Sequence, residues 1–472
     1  MLRIIFILLI SCVGTQLRAQ LVEQEGPAPS ANQMKWHEME YYLFMHFGPN
    51  TFSDLEWGKG TEDPKLFNPT ALDCRQWARI ARDAGAKGII ITAKHHDGFC
   101  LWPSKYSEHT VAQSPWKDGK GDVLRELSDA CSSYGIKFGV YISPWDRNHP
   151  DYGTDEYNDI YVKSMRELLR NYGDLFEIWW DGANGEGPNG KKQEYDFPRF
   201  EKTARRFASE AVIFSDIGPD IRWVGNEKGI AGITNWDLLD TAGFMRGLGA
   251  PPIDTLNSGN VNGKLWIPAE CDVSIRPGWF YHPNEDAAVK SAKDLMKIYM
   301  TSVGRGANLL LNVPPDRRGL ISAADSASLM AFKSLRESSF ETNLALRASV
   351  KVSTSRAGYL PSVLTDGFRF SHWAPLKTET TCSIELEMPE PREFNTILLQ
   401  EYIEAGQRII EFTVEVWDGT AYQPLVNGTT VGYKRILQFP KQLASKIRVS
   451  VVKAKASPIL GEIQLYNFED YQ

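Results

Sequence analysis

Several residues able to do acid–base chemistry or to hydrogen-bond a polar ligand fall at the ends of short apolar runs. They are His46 in "YYLFMHFG", His95, His96 and Asp97 in "KGIIITAKHHDGF", Tyr141 and Trp145 in "IKFGVYISPWD", Asp181 in "LFEIWWDG", and Glu270 and Asp272 in "KLWIPAECD". Two carboxyls so placed suit hydrolysis of a glycosidic bond. Cleavage with retention needs one ionised carboxyl to attack the anomeric carbon and one protonated carboxyl to release the leaving group, roughly 5–5.5 Å apart. Asp181 has the better case for the attacking group, since it follows Trp179 and Trp180 and Gly182 would let the backbone turn sharply beside it. An Asp capping the next loop is the structural alternative. For the proton donor two residues compete: Glu227 in "IRWVGNEKG", on a glycine-bounded loop, and Glu270, inside a run that reads as a strand. A loop carboxyl at a rim is better able to reach an outward leaving group and to alternate its protonation state.

The adjacent His95 and His96 raise the question of a metal. Neighbouring strand residues point to opposite faces, so both can face one site only where the strand has ended. Neither His-x-His nor His-x-x-x-His spacing accompanies them, which argues against metal ligation and leaves no cofactor implied. Neutral imidazoles, each with one donor and one acceptor, suit the hydroxyls of a sugar.

The elements that must position these groups are legible between about residues 35 and 337. The runs quoted above, with "AVIFSDIG" and "ANLLLNVPP", are almost continuously apolar, as parallel strands covered on both faces are. Between them lie the helical patterns "LDCRQWARIARDAG", "DVLRELSDACSSYG" and "DEYNDIYVKSMRELLRNYG". The last two open on an Asp able to cap, and all three end at Gly. Seven or eight β-then-α units predict an α/β fold, a (β/α)8 TIM-like barrel whose active face lies at the C-terminal strand ends. An open doubly wound sheet is less favoured, because no glycine-rich phosphate loop follows the first strand. Past Thr342 the pattern changes to short alternating strands such as "CSIELEM", "NTILLQEY", "IIEFTVEVWDG" and "KIRVSVV", which predict an all-β sandwich. The expected division is a catalytic barrel over 20–340 and a sandwich over 341–472, joined near "RESSFETN".

At 472 residues the chain is long enough for two such units, and its net charge of -7 without basic clusters argues against nucleic acid as a partner. Aromatic residues make up 11% of the chain, which serves a large core or flat platforms for sugar faces. The opening "MLRIIFILLISCVGTQLRAQ" reads as a secretory signal, too short to remain as a membrane anchor, with cleavage expected after Ala19. Residues "LISC" also resemble a lipoprotein box, which would put a lipid on Cys12; either way the protein is expected outside the cytoplasm, in the periplasm, at the cell surface or secreted. The other five cysteines lack C-x-x-C spacing and read as buried thiols.

Six segments in order, "FMHFGPNTFSDLEWG", "ARDAGAKGIIITAKHHDGFCLWPSKYS", "FGVYISPWD", "EIWWDGANG", "GPDIRWVGNEKG" and "DVSIRPGWFYH", resemble the α-L-fucosidases of glycoside hydrolase family 29. More particularly they resemble the branch that prefers α-1,3- and α-1,4-linked fucose on branched glycans. The resemblance covers the whole barrel and implies a retaining mechanism with Asp181 as nucleophile and Glu227 as acid/base. It implies a fucose pocket made by His46, Glu56, Trp57, His95, His96 and Tyr141, with Trp279 under the fucose methyl. A fucosylated oligosaccharide or glycoconjugate is the implied partner. The C-terminal part, from "LRASVKVS" through "SHWAP" to "ILGEIQLY", resembles discoidin-type sandwiches, some of which bind galactose. A glycan-binding protein that has lost catalysis is the competing reading, and the presence of both carboxyls with the histidine set argues against it.

Overall fold

The structure, a computed structural model, describes residues 23–469; the expected leader over 1–19 and Cys12 lie outside them. Six barrel strands come first in the chain: β1 (Tyr41–Met45), β2 (Gly88–Lys94), β3 (Lys137–Ile142), β4 (Leu175–Trp179), β5 (Val212–Ser215) and β6 (Ile221–Trp223). Strands Ala269–Ser274 and Asn308–Asn312 follow, and the eight close in chain order into a parallel barrel, Asn308–Asn312 pairing with β1. Alternation explains why the runs are apolar throughout. Leu43, Ile89, Ile91, Val140, Ile178 and Leu309 pack outward against the helices, while Phe44, Ile90, Tyr141, Trp179, Phe214 and Leu310 fill the interior.

Helices cover the barrel where the sequence predicts them. Asp73 caps Cys74–Asp83 and Asp122 caps Val123–Tyr134, which ends at Gly135 in the left-handed region. Asp155, expected as a cap, is instead the first helical residue of Asp155–Asn171, and Thr154 occupies the cap position.

Two strand expectations need correction. "KLWIPAECD" is not one strand: Leu265–Trp266 pairs antiparallel with Leu238–Leu239 outside the barrel, and only Ala269–Ser274 joins it. Pro268, which has no N–H for a ladder, stands at the break. The segment "IRW", expected in a loop, is β6, which follows β5 without an intervening helix. Three residues are too few to show periodicity. The connection is held by Asp220, whose carboxylate takes a two-pronged pair from Arg205 at 2.7 Å and accepts the Ile213 amide at 2.7 Å.

The barrel floor is polar. Glu177 and Glu270 are both fully buried, and burial with their mutual repulsion raises the Glu177 pKa well above its usual range; burial raises that of Glu270 as well. Glu270 accepts from Trp179 Nε1 at 2.8 Å and from the Tyr42 hydroxyl, while Trp36 Nε1 donates to Tyr42 at 2.7 Å and to Glu177 at 3.2 Å. With no cation among these partners, the pair is best held by keeping a proton between the two carboxyls.

The C-terminal strands are Ser349–Val352, Cys382–Glu401, Ile409–Trp417, Tyr422–Gly428, Arg435–Ala454 and Leu460–Tyr466, all antiparallel. The two long ones break register near Pro389 and Pro391, so one half of each pairs beside Ser349–Val352 and Ile409–Trp417 and the other half beside Leu460–Tyr466. Ile384, Leu386, Ile397, Leu399, Ile447 and Ile463 from both halves share one core, which makes the unit a sandwich. It docks on the end of the barrel where the strands begin. Ile436 N donates to Gly304 O at 2.8 Å, Lys434 pairs with Glu40, Arg369 pairs with Glu38 at 2.6 Å, and Tyr433 stacks on His37. Leu398, Ile436, Tyr466 and Phe468 thereby join the barrel's own outer core.

Two stability outcomes follow from this packing. Phe340 packs its ring 5.1 Å from Tyr466 and 4.9 Å from Phe468, so Phe340→Ala should cost about 2 kcal/mol, read by denaturant unfolding of the full chain. At the floor, Glu270→Gln keeps a donor and an acceptor and should stay within about 1 kcal/mol of the parent, whereas Glu270→Ala strands the Trp179 and Tyr42 donors and should cost about 3 kcal/mol. Equal losses for the two Glu270 variants would contradict a shared proton.

Candidate active site

On β4 and its extension, residues 177, 179 and 181 face the barrel interior at rising height: a buried carboxyl, an indole, then Asp181 at the mouth. Trp180, between them, faces the helices and packs near Phe197 and Phe200. Trp179 stacks on Phe214 at 4.1 Å and on Tyr141 at 5.2 Å. Asp181 Oδ1 accepts the Ala183 amide at 2.8 Å, and Oδ2 accepts the Tyr141 hydroxyl at 3.0 Å. One carboxylate is thus fixed in orientation while 27% of its side chain stays open to the cleft. Gly182 does not use the left-handed backbone open to glycine; a Cβ there would overlap the Asp216 carboxyl, which would have to move to admit it.

A pocket of about 190 Å³ at the C-terminal strand ends is lined by His46, Glu56, Trp57, His95, His96 and Tyr141. Asp181, Glu227, Asp272 and Trp279 complete its wall, with Phe44 and Trp179 beneath. The nine residues that the resemblance implies as catalytic or fucose-binding therefore line one cavity. Among the described residues no group of three or more His, Cys, Asp or Glu is arranged to hold a metal ion.

The histidines are neutral, because burial lowers each pKa, that of His46 to about 4. His46 Nδ1 meets Asn312 Oδ1 at 2.8 Å, and the Asn312 amide is oriented by donating to Ser274 and to the Trp279 carbonyl. His96 Nδ1 meets Ser143 Oγ at 2.8 Å, and that hydroxyl donates onward to the Trp145 carbonyl. Both networks place the proton on Nδ1, leaving Nε2 as an acceptor. His96 Nε2 lies 3.5 Å from Asp181 Oδ2. His95 Nδ1 has no protein partner among the described residues, and its ring lies parallel to Tyr141.

Glu56 is more occupied than a free ligand-binding group would be. Its carboxylate accepts the Trp279 and Phe280 amides at 2.8 and 3.1 Å and meets His282 Nε2 at 2.7 Å. Burial opposes a charged His282, but its hydrogen bonds to Asp54 and Glu56 outweigh this and raise its pKa. The outcome is a clamp on the loop carrying Trp279, whose indole N–H reaches Glu227 Oε2 at 3.3 Å. Trp57, 56% exposed, stands at the rim against His96 and Trp145.

The remaining strand-end residues serve elsewhere. Glu270, the rival proton donor, lies on the floor beneath Trp179 and does not reach the pocket. Asp97 accepts the Phe99 amide at 2.8 Å inside the following turn, and burial pushes its pKa up to about 7. Trp145 backs His96 at 4.8 Å. The sequence reading passed over Asn312, Ser143, His282 and Asp216. Asp216 carried a usable signal, because "FSDIG" ends an apolar run on Asp shortly before Gly much as "IWWDG" does.

Known proteins fit this geometry. The α-L-fucosidase family profile matches residues 23–334. Alpha-L-fucosidase 1 of Arabidopsis thaliana is 43% identical over 449 residues, covering 93% of this chain and 87% of that protein. The crystal structure of SpGH29 superposes with a TM-score of 0.91 at 41% identity, covering 95% of this chain and 100% of that one. The Ruminococcus gnavus GH29 fucosidase E1_10125, solved in complex with fucose, gives a TM-score of 0.88 at 32% identity over 96% of this chain and 97% of that one. The chain belongs to the α-L-fucosidase family of glycoside hydrolases.

Proposed function

We propose that this α-L-fucosidase is a retaining exo-glycosidase that removes α-1,3- and α-1,4-linked fucose from branched, Lewis-type glycans. The observation that carries the mechanism is the clamping of Asp181 by Tyr141 and the Ala183 amide, which aims one carboxylate into the pocket. Asp181 attacks the anomeric carbon and forms a fucosyl-enzyme while the Glu227 carboxyl gives its proton to the departing oxygen. Glu227 then takes a proton from the water that attacks the same carbon, and fucose leaves with its original configuration. The acceptor nitrogens of His46 and His96 and the hydroxyl of Tyr141 suit the sugar's hydroxyl groups. Trp279 offers an apolar face to the methyl group, and Glu56 holds the Trp279 loop. For the sandwich we favour bracing over sugar capture, since its contacts with the barrel lie at the end opposite the pocket. We also propose export through the N-terminal leader, which N-terminal sequencing of the mature protein, expected to start at Gln20, checks.

Asp181→Asn should lower turnover of an aryl α-L-fucoside by about 10³-fold or more while fucose still binds; near-normal turnover would remove Asp181 from the mechanism. For Glu227→Ala, azide should restore cleavage of a substrate with a good leaving group and yield the α-fucosyl azide. The β-azide would instead indicate that Asp181 had lost its role as nucleophile. A linkage panel of fucosylated oligosaccharides should show α-1,3 and α-1,4 cleavage well ahead of α-1,2.

The histidine environment predicts a pH outcome. Because burial moves the His46 pKa down to about 4, the pocket keeps its acceptor nitrogens through the mildly acidic range. Fucose affinity measured on Asp181→Asn should therefore stay nearly constant from pH 8 to 5. A loss centred near pH 6.5 would mean that the imidazoles titrate like exposed ones.

A further inference from the structure

Beyond the pocket just described, the cleft continues past Asp181 and Glu227 into a second chamber of about 350 Å³. The two cavities share Trp179, Asp181, Ala183, Glu227 and Asp272, so the carboxyls assigned to bond cleavage sit at their junction. A bond broken at that junction has its fucosyl half in the first cavity and its leaving half in the second. One wall of the chamber is apolar, made by Ala250, Pro251, Ile253 and Leu256. Asp216 and Asp272 also line the chamber, together with Asp181 and Glu227 at the junction and the rings of Trp179, Phe214 and Trp223.

The charge lining is one-sided. None of the described residues lining the chamber is Lys, Arg or His. Asp272 is buried and accepts from Trp223 Nε1 at 3.0 Å through one oxygen only. Among the described residues Asp216 has no side-chain hydrogen-bond partner; its own backbone N–H is the one group that favours its charged form. Its carboxyl lies close over the bare Gly182 backbone and is partly open to the chamber, free to accept hydrogen bonds from a ligand there.

We propose that this chamber receives the leaving sugar and that Asp216 makes it charge-selective, accepting hydrogen bonds from neutral hydroxyl-bearing or amino-bearing units and rejecting those with carboxylate or sulfate groups. The proposal rests on the fucosidase reading of the first pocket. An anionic substituent would enter a space with no Lys, Arg or His among its described lining residues. Burial and the nearby Asp181 raise the Asp216 pKa to about 6, so above that pH its carboxylate disfavours a unit negative charge a few ångströms away on the order of tenfold in binding. An ammonium group gains by the same term. Sialylated, uronic or sulfated leaving sugars are therefore poor substrates and their neutral counterparts good ones.

Three aryl α-L-fucosides of matched size, assayed at pH 8 where Asp216 is ionised, test this: the 4-carbamoylphenyl, 4-carboxyphenyl and 4-(aminomethyl)phenyl compounds. The expected KM order is ammonium, then neutral, then carboxylate, with the last on the order of tenfold above the neutral compound. In Asp216→Asn the spread should shrink severalfold, and in the unaltered enzyme it should narrow as salt is raised, which guards against a poorly folded variant. A KM independent of charge, or a spread unchanged in a folded Asp216→Asn, overturns the proposal. No fucose release from any of the three would overturn the fucosidase reading itself.

Discussion

Side-chain alternation in a closed barrel is the constraint on which the site depends. Once β4 is fixed between β3 and β5, positions 177, 179 and 181 face the same axis and their heights above the floor are set by the strand rise. The interior then becomes a column: a protonated carboxyl pair, an indole bonded to it, and a carboxylate at the mouth. Trp179 couples the levels, since its N–H is tied to Glu270 below while its ring stacks against Tyr141, which holds Asp181. A shift of one residue in β4 would turn all three toward the helices and Trp180 inward.

Burial does electrostatic work in this column. The histidines of the pocket lie within reach of carboxylates that would ordinarily draw protons onto them, yet desolvation outweighs that attraction and keeps the rings neutral. Neutral rings can act as acceptors toward hydroxyl groups, and they add no positive charge that would compete for Asp181. His282 shows the opposite balance a few ångströms away. Wetter and wedged between Asp54 and Glu56, it has its pKa raised by those two carboxylates and serves as a clamp instead of a ligand.

Much of this was readable from the chain because the signals were local. Apolar runs ending in His, Tyr or Asp mark the strands and the mouth of the barrel, and six of the nine residues named from them, His46, His95, His96, Tyr141, Asp181 and Asp272, converge on one cavity. What escaped notice was non-local or too short. Glu270 looked equivalent to Asp272 two positions on, because parity puts both on the inner face and only depth separates a floor residue from a wall residue. β6 has three residues and no helix before it, so neither period nor punctuation announced it. Glu56 was named through resemblance, but its use as an anchor for the Trp279 and Phe280 amides depends on contacts more than two hundred positions apart. The sandwich could be counted from alternating strands, whereas its attachment at the start of the barrel strands rests on Glu38, Glu40 and Gly304, which carry no pattern of their own.

The contact between Gly182 and Asp216 ties two properties that a designer or a lineage might wish to vary separately. The bare α-carbon beside the attacking carboxylate exists to admit a carboxyl from the neighbouring strand. Position 182 can therefore accept a side chain only if the Asp216 carboxyl moves aside or becomes smaller. A variant with altered leaving-group preference and a stiffer loop after β4 is thus reached most directly by changing 216 first, since the reverse order pushes the Asp216 carboxyl out of its place in the chamber.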